Sequence, residues 1–427
     1  MPAYQIRDVN VTMTYKAKQQ TGSGTTERPK SAVPQHSRTL WHILSASSVT
    51  VMQFANGLSR SFPTLAWVPE MRNMATLQPW KTVHLIAHRT NFSEVRFPLQ
   101  RGYARDLFEQ LVLPSRRVLR QLLSKTDDPK RSVLLCTSPF WAPVAEKWPG
   151  PVIYYVTDLT IAYAGLNPRQ IQKLDRRLCQ IATLVCPNSA RIANYLQADA
   201  GCPAERIVLI PNATSASHLR STFSDKPSPL PADVADVARP VAGVIGNLAS
   251  NVDWPLLLES INMSPHYSWL FVGPYSMTIS DPTQLAARAE VFKHPRTRFT
   301  GLKPYDDLHH YARAFDVAIL PYRRIEPTYS GSATRFYEHL AACRPMIATR
   351  GVEELLHKQQ FLCLIDTAAE LAEQMNRLKL QPLDGSERLR WIASQTQTWE
   401  DRANTMISAL DHAHPQLLLN SGDHRHA

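Results

Sequence analysis

The sequence predicts an α/β protein built from two similar parallel-sheet halves, and three observations carry that reading. Short apolar runs alternate with helical segments from Leu40 onward, the alternation starts afresh after a proline-rich stretch near the middle, and 427 residues exceed what one core usually serves. In the first half the runs are VLLC (133–136), VIYYV (152–156), TLVC (183–186) and IVLI (207–210). HILSASSVTVMQFANGLSRSF (His42–Phe62) reads as the opening strand, a polar turn and the first helix, with Ser47, Ser48 and Gln53 available to line any cleft. SDKPSPLPADVADVARP, with four prolines, discourages regular structure and divides the halves. The second half repeats the pattern as VAGVIG (241–246), WLFVG (269–273), RFTG (298–301), VAILP (317–321) and PMIAT (345–349). The resulting division is a flexible leader over 1–38, a first domain over 39–222, a linker over 223–239, a second domain over 240–390, a terminal helix over 391–412 and a tail over 413–427.

Composition narrows the class. Hydrophobic residues make up 44% of the chain and charged residues 19%, enough apolar mass for two ordinary cores. No stretch reaches the ~18 apolar residues of a membrane span, and the N-terminus lacks the apolar core of a signal peptide, so the cytoplasm is the expected location. Six cysteines form no CxxC pair and read as buried free thiols. His412, His414, His424 and His426 read as a solvated tail, and His309 and His310 as exposed helix residues. The net charge of +11 is concentrated: residues 72–131 hold twelve Lys and Arg against five acids. Within them LVLPSRRVLRQLLSK (111–125) interleaves Arg116, Arg117, Arg120 and Lys125 with Val118, Leu119, Leu122 and Leu123. This suits either a core helix with a solvated basic face or a helix lying on an anionic membrane. A non-catalytic nucleic-acid-binding role for the basic region is the alternative from another class, with Phe97, Tyr103 and Phe108 as available aromatics, though no nucleic-acid motif surrounds them.

Chemistry concentrates where strands end. In open parallel sheets ligands bind beyond the carboxyl ends of the strands. After VAILP and the loop YRRIEPTY, the segment YSGSATRFYEHLAACRP places small hydroxyl residues before a helix that Ser330 or Ser332 can cap, with Phe336, Leu340 and Ala341 facing the sheet. Such a helix start seats anions. Arg335 in the first turn is unfavourable unless it shares an anionic ligand; with Glu338 it otherwise forms an i,i+3 surface pair. PVIYYVTDLTIAYAG sets Asp158 just after an apolar strand, where it can face a cleft or cap the next helix.

ARAFDVAILPYRRIEPTYSGSATRFYEHLAACRPMIAT resembles the nucleotide-sugar-binding segment of GT-B glycosyltransferases of the bacterial polysaccharide (group 1, family 4-like) type. RIVLIPNATSASHL, VAGVIGNLASNVDWPLLL, YSWLFVGP, TRFTGLKPYDDLHHYARAFD and TWEDRANTMISAL are similar to further segments of that family, so the likeness spans roughly residues 150–410. It implies two Rossmann-like domains facing across a cleft, with a C-terminal helix crossing back to the first. It also implies a hexosyltransferase that is metal-independent, needs no cofactor, and carries sugar from a nucleoside-diphosphate sugar, UDP-sugar above all, to a glycan or lipid-linked glycan acceptor in envelope or exopolysaccharide synthesis. A GT-B-related sugar-nucleotide epimerase would share the donor site.

By the resemblance Arg335 neutralises the diphosphate, Glu338 accepts ribose hydroxyls, Ser332 and Thr334 flank the phosphates, Gly246 and Asn247 let the backbone approach the diphosphate or the sugar, and Tyr322 lies near the base or ribose. Outline similarity of the Asp158 segment to xanthan-type glucuronosyltransferases implies that this aspartate is the catalytic base. The chain departs from the pattern at Ser330, where relatives carry a sugar-binding glutamate and Glu326 is out of register, at Cys343, where they carry glycine, and at Ala213.

Overall fold

The computed structural model describes residues 39–72, 84–100, 113–220, 222, 229–275 and 279–418. They group into two compact units, the first drawn from 1–155, 173–185 and 406–427 and the second from 156–172 and 186–405. The expected leader, the loop 223–228 and the end of the tail lie outside the described residues, as do Lys81, Arg101, Tyr103, Arg105 and Phe108.

The first unit is organised by a seven-stranded sheet in the order β3-β4-β2-β1-β5-β6-β7. Its strands are β1 (Trp41–Leu44), β2 (Thr64–Arg72), β3 (His84–Arg89), β4 (Phe92–Gln100), β5 (Val133–Cys136), β6 (Val152–Val156) and β7 (Leu184–Pro187). Every residue of β1, β5, β6 and β7 is buried, which is why they read as unbroken apolar runs: a parallel strand covered on both faces has no solvent side. The sheet departs from an all-parallel arrangement at β3, which runs antiparallel to β4 at the edge and is exposed along most of its length. Its mixed composition, HLIAHR, hides it from a search for apolar runs. IVLI (207–210) is not a strand, contrary to expectation. Pro203 and Pro211 bracket it, Leu209 is exposed, and one bond from Ile210 N to the Pro187 carbonyl, 2.9 Å, replaces a ladder.

The opening helix, Val49–Leu58, follows β1 as expected, with Ser48 capping it by accepting from Val51 N at 3.2 Å. Val51, Phe54, Ala55 and Leu58 are buried at helical spacing. In the basic helix Leu113–Leu123, Val118 and Leu122 are buried while Arg116, Arg117 and Arg120 are exposed, so its apolar stripe is already used by the core.

The second unit carries a six-stranded, wholly parallel sheet in the order β10-β9-β8-β11-β12-β13. These are β8 (Val241–Ile245), β9 (Ser268–Val272), β10 (Thr297–Phe299), β11 (Val317–Leu320), β12 (Met346–Thr349) and β13 (Cys363–Ile365). Alternate residues supply two cores: Val241, Ile245, Leu270, Val272, Ala318 and Leu320 on one face, and Ala242, Val244, Trp269, Phe271, Val317 and Ile319 on the other. Strand order reverses between β8 and β11, which pair directly, so a crevice opens past their carboxyl ends. The terminal region is two helices, Glu387–Ser394 and Trp399–Ala413, rather than one.

Candidate functional site

The loops after β8 and β11 and the start of the helix Thr334–Ala342 meet at this reversal. Backbone geometry sets the floor of the crevice. Gly246 has φ 119, a conformation side chains resist, and a Cβ there would lie 2.1 Å from the Arg335 Nε. Gly273, at the end of β9, has φ 142, and its Cβ would fall 1.9 Å from the Gly246 carbonyl oxygen. Arg335 therefore lies directly on bare backbone. Its Nη2 donates to the Asn247 carbonyl at 2.7 Å, and its guanidinium stands 5.1 Å over the ring of Tyr322.

The charge state of this cluster is its most informative feature. Arg335 is only 8% exposed, no carboxylate lies within ion-pair distance of it among the described residues, and its Nη1 has no hydrogen-bond partner. The Asn247 Oδ1 is likewise buried and unpartnered. A buried, uncompensated guanidinium costs several kcal/mol unless an anion supplies its charge, so the arrangement can accept an anionic ligand that also carries a hydrogen-bond donor.

Expectation and structure part at the helix start. Neither Ser330 nor Ser332 is the cap: the helix begins at Thr334 with Ala333 in the capping position and no capping bond from its own side chain. Glu354 supplies the cap from elsewhere, its Oε2 accepting from Ala333 N at 2.8 Å and from the Ser332 hydroxyl at 2.9 Å. Asn212, from the PNATS segment, then ties this turn down, donating from its side chain to the Ser332 carbonyl and to the Thr334 hydroxyl, each at 2.8 Å. Ser332 and Thr334 thus stand at the helix start already engaged by protein groups. Glu354 comes from β12's far side in sequence, and no local signal marks it as the cap.

Arg335 and Glu338 are both buried and do not form a surface pair. Glu338 points into a closed polar network instead. Its Oε2 accepts from His218 Nδ1 at 2.7 Å and from the Thr214 hydroxyl at 3.1 Å, and its Oε1 accepts from the Tyr305 hydroxyl. Trp399 Nε1 donates to the Tyr305 oxygen at 3.2 Å. Burial alone would raise the Glu338 pKa, but the His218 charge and the bonds from His218, Tyr305 and Thr214 outweigh it and leave the carboxyl below its ordinary range. Residues His218, Tyr305 and Thr214 escaped sequence reading because they lie far from Glu338 along the chain. The expectation of exposed His309 and His310 is also corrected: His309 stacks on His218 with ring centroids 4.9 Å apart and lies tilted against His310 at 3.8 Å, and burial, foremost, lowers its pKa to about 4.

Ser330 is buried, accepting on its hydroxyl from Arg191 Nε at 2.9 Å. Although out of register in sequence, Glu326 folds back to it, accepting from Ser330 N at 3.3 Å and pairing with Arg191. At the far end of the helix Cys343 adopts the left-handed cap at φ 61, where glycine is the unstrained choice.

Asp158 lies on the loop after β6, which groups with the second unit. It does not cap the following turn, whose capping position is Leu159; its partner is the Tyr163 hydroxyl. Its side chain keeps solvent access, yet the protein packed around it strips hydration and raises its pKa to about 6 against the opposing Tyr163 bond. Among the described residues no group of three or more His, Cys, Asp or Glu is arranged to hold a metal ion, and no helix is long and apolar enough to cross a membrane.

Two parallel-sheet α/β units of this topology define the GT-B glycosyltransferase fold. Sucrose-phosphate synthase of Thermosynechococcus elongatus superposes with a TM-score of 0.65 at 15% identity, over 88% of this chain and 98% of that one. HepE of Anabaena, solved with UDP and glucose, gives 0.62 at 14% identity over 88% of this chain and all of its own. The Escherichia coli trehalose-6-phosphate protein bound with UDP-2-fluoro glucose gives 0.65 at 11% identity, over 87% and 98%.

Residues 239–380, within the second unit, match the family model described as Glycosyl transferases group 1. TuaH of Bacillus subtilis, whose name assigns it to teichuronic acid biosynthesis as a glycosyltransferase, is 27% identical over 109 residues. That match spans 26% of this chain and 26% of TuaH.

Proposed function

We propose that the protein transfers a sugar from a nucleoside-diphosphate sugar, with UDP as the nucleotide, to a glycan or lipid-linked glycan acceptor in envelope or exopolysaccharide synthesis. The observation that carries this reading is the buried Arg335 guanidinium, seated on the Gly246–Asn247 backbone without a carboxylate partner. A diphosphate supplies the missing charge, and the hydroxyl of a ribose or sugar supplies the donor that Asn247 Oδ1 lacks. UDP is favoured because solved structures of this fold hold UDP or UDP-sugars. A polysaccharide acceptor is favoured by the likeness to TuaH.

In this scheme the bond from the anomeric carbon to the diphosphate oxygen breaks with its electron pair going to the diphosphate. An acceptor hydroxyl forms the new bond to carbon, and its proton passes to the Asp158 carboxylate. Arg335 offsets the charge that develops on the leaving group, so the reaction needs neither metal nor further cofactor. Asp158 with a pKa near 6 is ionised at neutral pH and still basic enough to take a proton. Glu338 acts through position rather than contact: its closed network fixes the helix that aims Arg335. Peripheral contact with anionic membrane through residues 111–125 is the finer part of this reading, resting on the exposed face of Arg116, Arg117 and Arg120.

The test is a thermal-shift panel of nucleotides and nucleotide sugars, followed by acceptor-dependent release of nucleoside diphosphate. UDP and at least one UDP-sugar should raise the melting temperature. A protein indifferent to every nucleoside diphosphate does not have this function, and diphosphate release without an acceptor would point to other chemistry.

A further inference from the structure

Arginines of the second unit gather at the opposite end of its sheet from the donor crevice. Arg344 follows the left-handed cap Cys343 and leads into β12, Arg313 lies in the last turn of the helix Leu308–Ala314 that precedes β11, and Arg239 stands just before β8. These three strands are neighbours in the sheet, so the three arginines share their amino ends. Strands of four or five residues put about 13–16 Å between those ends and the crevice.

Contacts join the group. Arg344 Nη2 donates to the Arg313 carbonyl at 2.8 Å, and Arg239 Nη1 to the Ala314 carbonyl at 3.2 Å. Arg313 Nη2 donates to the His218 carbonyl at 2.9 Å, and Arg220 comes within hydrogen-bonding reach of the Cys343 sulfur. Carbonyls at the end of the helix Leu308–Ala314 thus hold Arg344 and Arg239, as the negative end of a helix dipole would. They do not complete Arg344. Its Nε is buried without a hydrogen-bond partner, and no carboxylate lies within ion-pair distance of it among the described residues. Asp316, the acid that acts most strongly on it, is committed to Arg239 and to Val241 N, the latter at 2.6 Å. Burial lowers the Arg344 pKa, and the charges of Arg239 and Arg220 add to that against Asp316.

A guanidinium whose Nη2 gives one hydrogen to a carbonyl still offers a fork, the Nε hydrogen and the second Nη2 hydrogen, that matches two oxygens of one oxyanion. Further cations beside it favour an anion of more than one charge over a carboxylate, which carries one. A phosphate group has both properties. We infer that Arg344, with Arg220 and Arg239 beside it, binds a phosphate group at the amino ends of β8, β11 and β12. The site is separate from the donor crevice and does not depend on the glycosyl-transfer reading. Its phosphate belongs to a soluble phosphate ester or to a lipid headgroup.

The experiment is titration calorimetry of the full chain with inorganic pyrophosphate at low salt, run in Arg335→Met so that the donor crevice has lost its cation. Pyrophosphate should bind this variant and be released by salt. Arg335→Met/Arg344→Gln should bind about 10- to 150-fold more weakly, the scale of a charge-assisted contact. Arg335→Met/Arg344→Lys keeps the charge without the fork and should fall between the two; it supplies the same comparison if glutamine disturbs the fold, which melting curves check. Competition names the source. Displacement of pyrophosphate by glycerol phosphate, but not by vesicles of equal parts phosphatidic acid and phosphatidylcholine, identifies a soluble ester, and displacement by the vesicles identifies a headgroup. Two results overturn the inference: pyrophosphate that does not bind Arg335→Met at low salt, and binding that neither substitution at Arg344 weakens.

Discussion

Arg335→Met separates a ligand-binding arginine from a structural one, because the two roles predict opposite effects on the unliganded protein. Methionine keeps the length and packing of the aliphatic stem while removing the charge. The folded state loses the bond from Nη2 to the Asn247 carbonyl and the cation over Tyr322, worth about 1.5–3 and 0.5–1 kcal/mol. It is also relieved of a buried guanidinium with an unpartnered Nη1, a penalty of about 1–3 kcal/mol for the donor alone and more for the uncompensated charge. The terms nearly cancel, so the melting temperature without ligand should stay level or rise. UDP binding loses a charge-assisted contact of about 1.5–3 kcal/mol, which is a fall in affinity of about 10- to 150-fold. Differential scanning calorimetry and titration calorimetry with UDP measure both quantities. Unchanged UDP affinity refutes the donor assignment, and a collapse of stability refutes the claim that the charge stands uncompensated.

Two further predictions concern ionisation. Asp158 must be deprotonated to act as a base, so kcat/KM should rise with pH through about 6; Asp158→Asn should lower turnover by about 10² to 10⁴ while UDP affinity holds. Because the folded pKa of Asp158 is raised, its contribution to stability is lost as pH rises through about 6, so the Asn variant should be no less stable than the parent at neutral pH. Glu338 has the opposite sign: its lowered pKa gives stability that is complete above the ordinary carboxylate range and lost as pH falls through the lowered value. Glu338→Gln should remove this acid limb from the stability profile and destabilise the protein at neutral pH, as chemical denaturation across pH would show.

What the sequence disclosed follows from how local each signal is. Strands buried on both faces, such as VIYYV and VAGVI, announce themselves because burial is written into consecutive residues. Edge strand β3, half polar and largely exposed, carries no such mark, and IVLI imitates a strand while two prolines deny it a ladder. The site divides in the same way. Gly246, Asn247, Tyr322 and Arg335 lie at strand and helix ends, where the fold class itself directs attention, and the structure brings them together. The partners of Glu338 and the capping role of Glu354 depend on contacts between segments distant in sequence. No periodicity or spacing reports them, so Glu338 looked available for a ligand when its oxygens are engaged by His218, Thr214 and Tyr305.

Hydrogen exchange of the protein with and without saturating UDP, resolved along the chain, tests the placement of the donor at the β8–β11 reversal most directly. Slowed exchange should centre on the Gly246–Asn247 turn and the first turn of the helix Thr334–Ala342, and Arg335→Met should abolish it at the same UDP concentration. Protection confined to other segments, or exchange that UDP leaves untouched, would contradict the account.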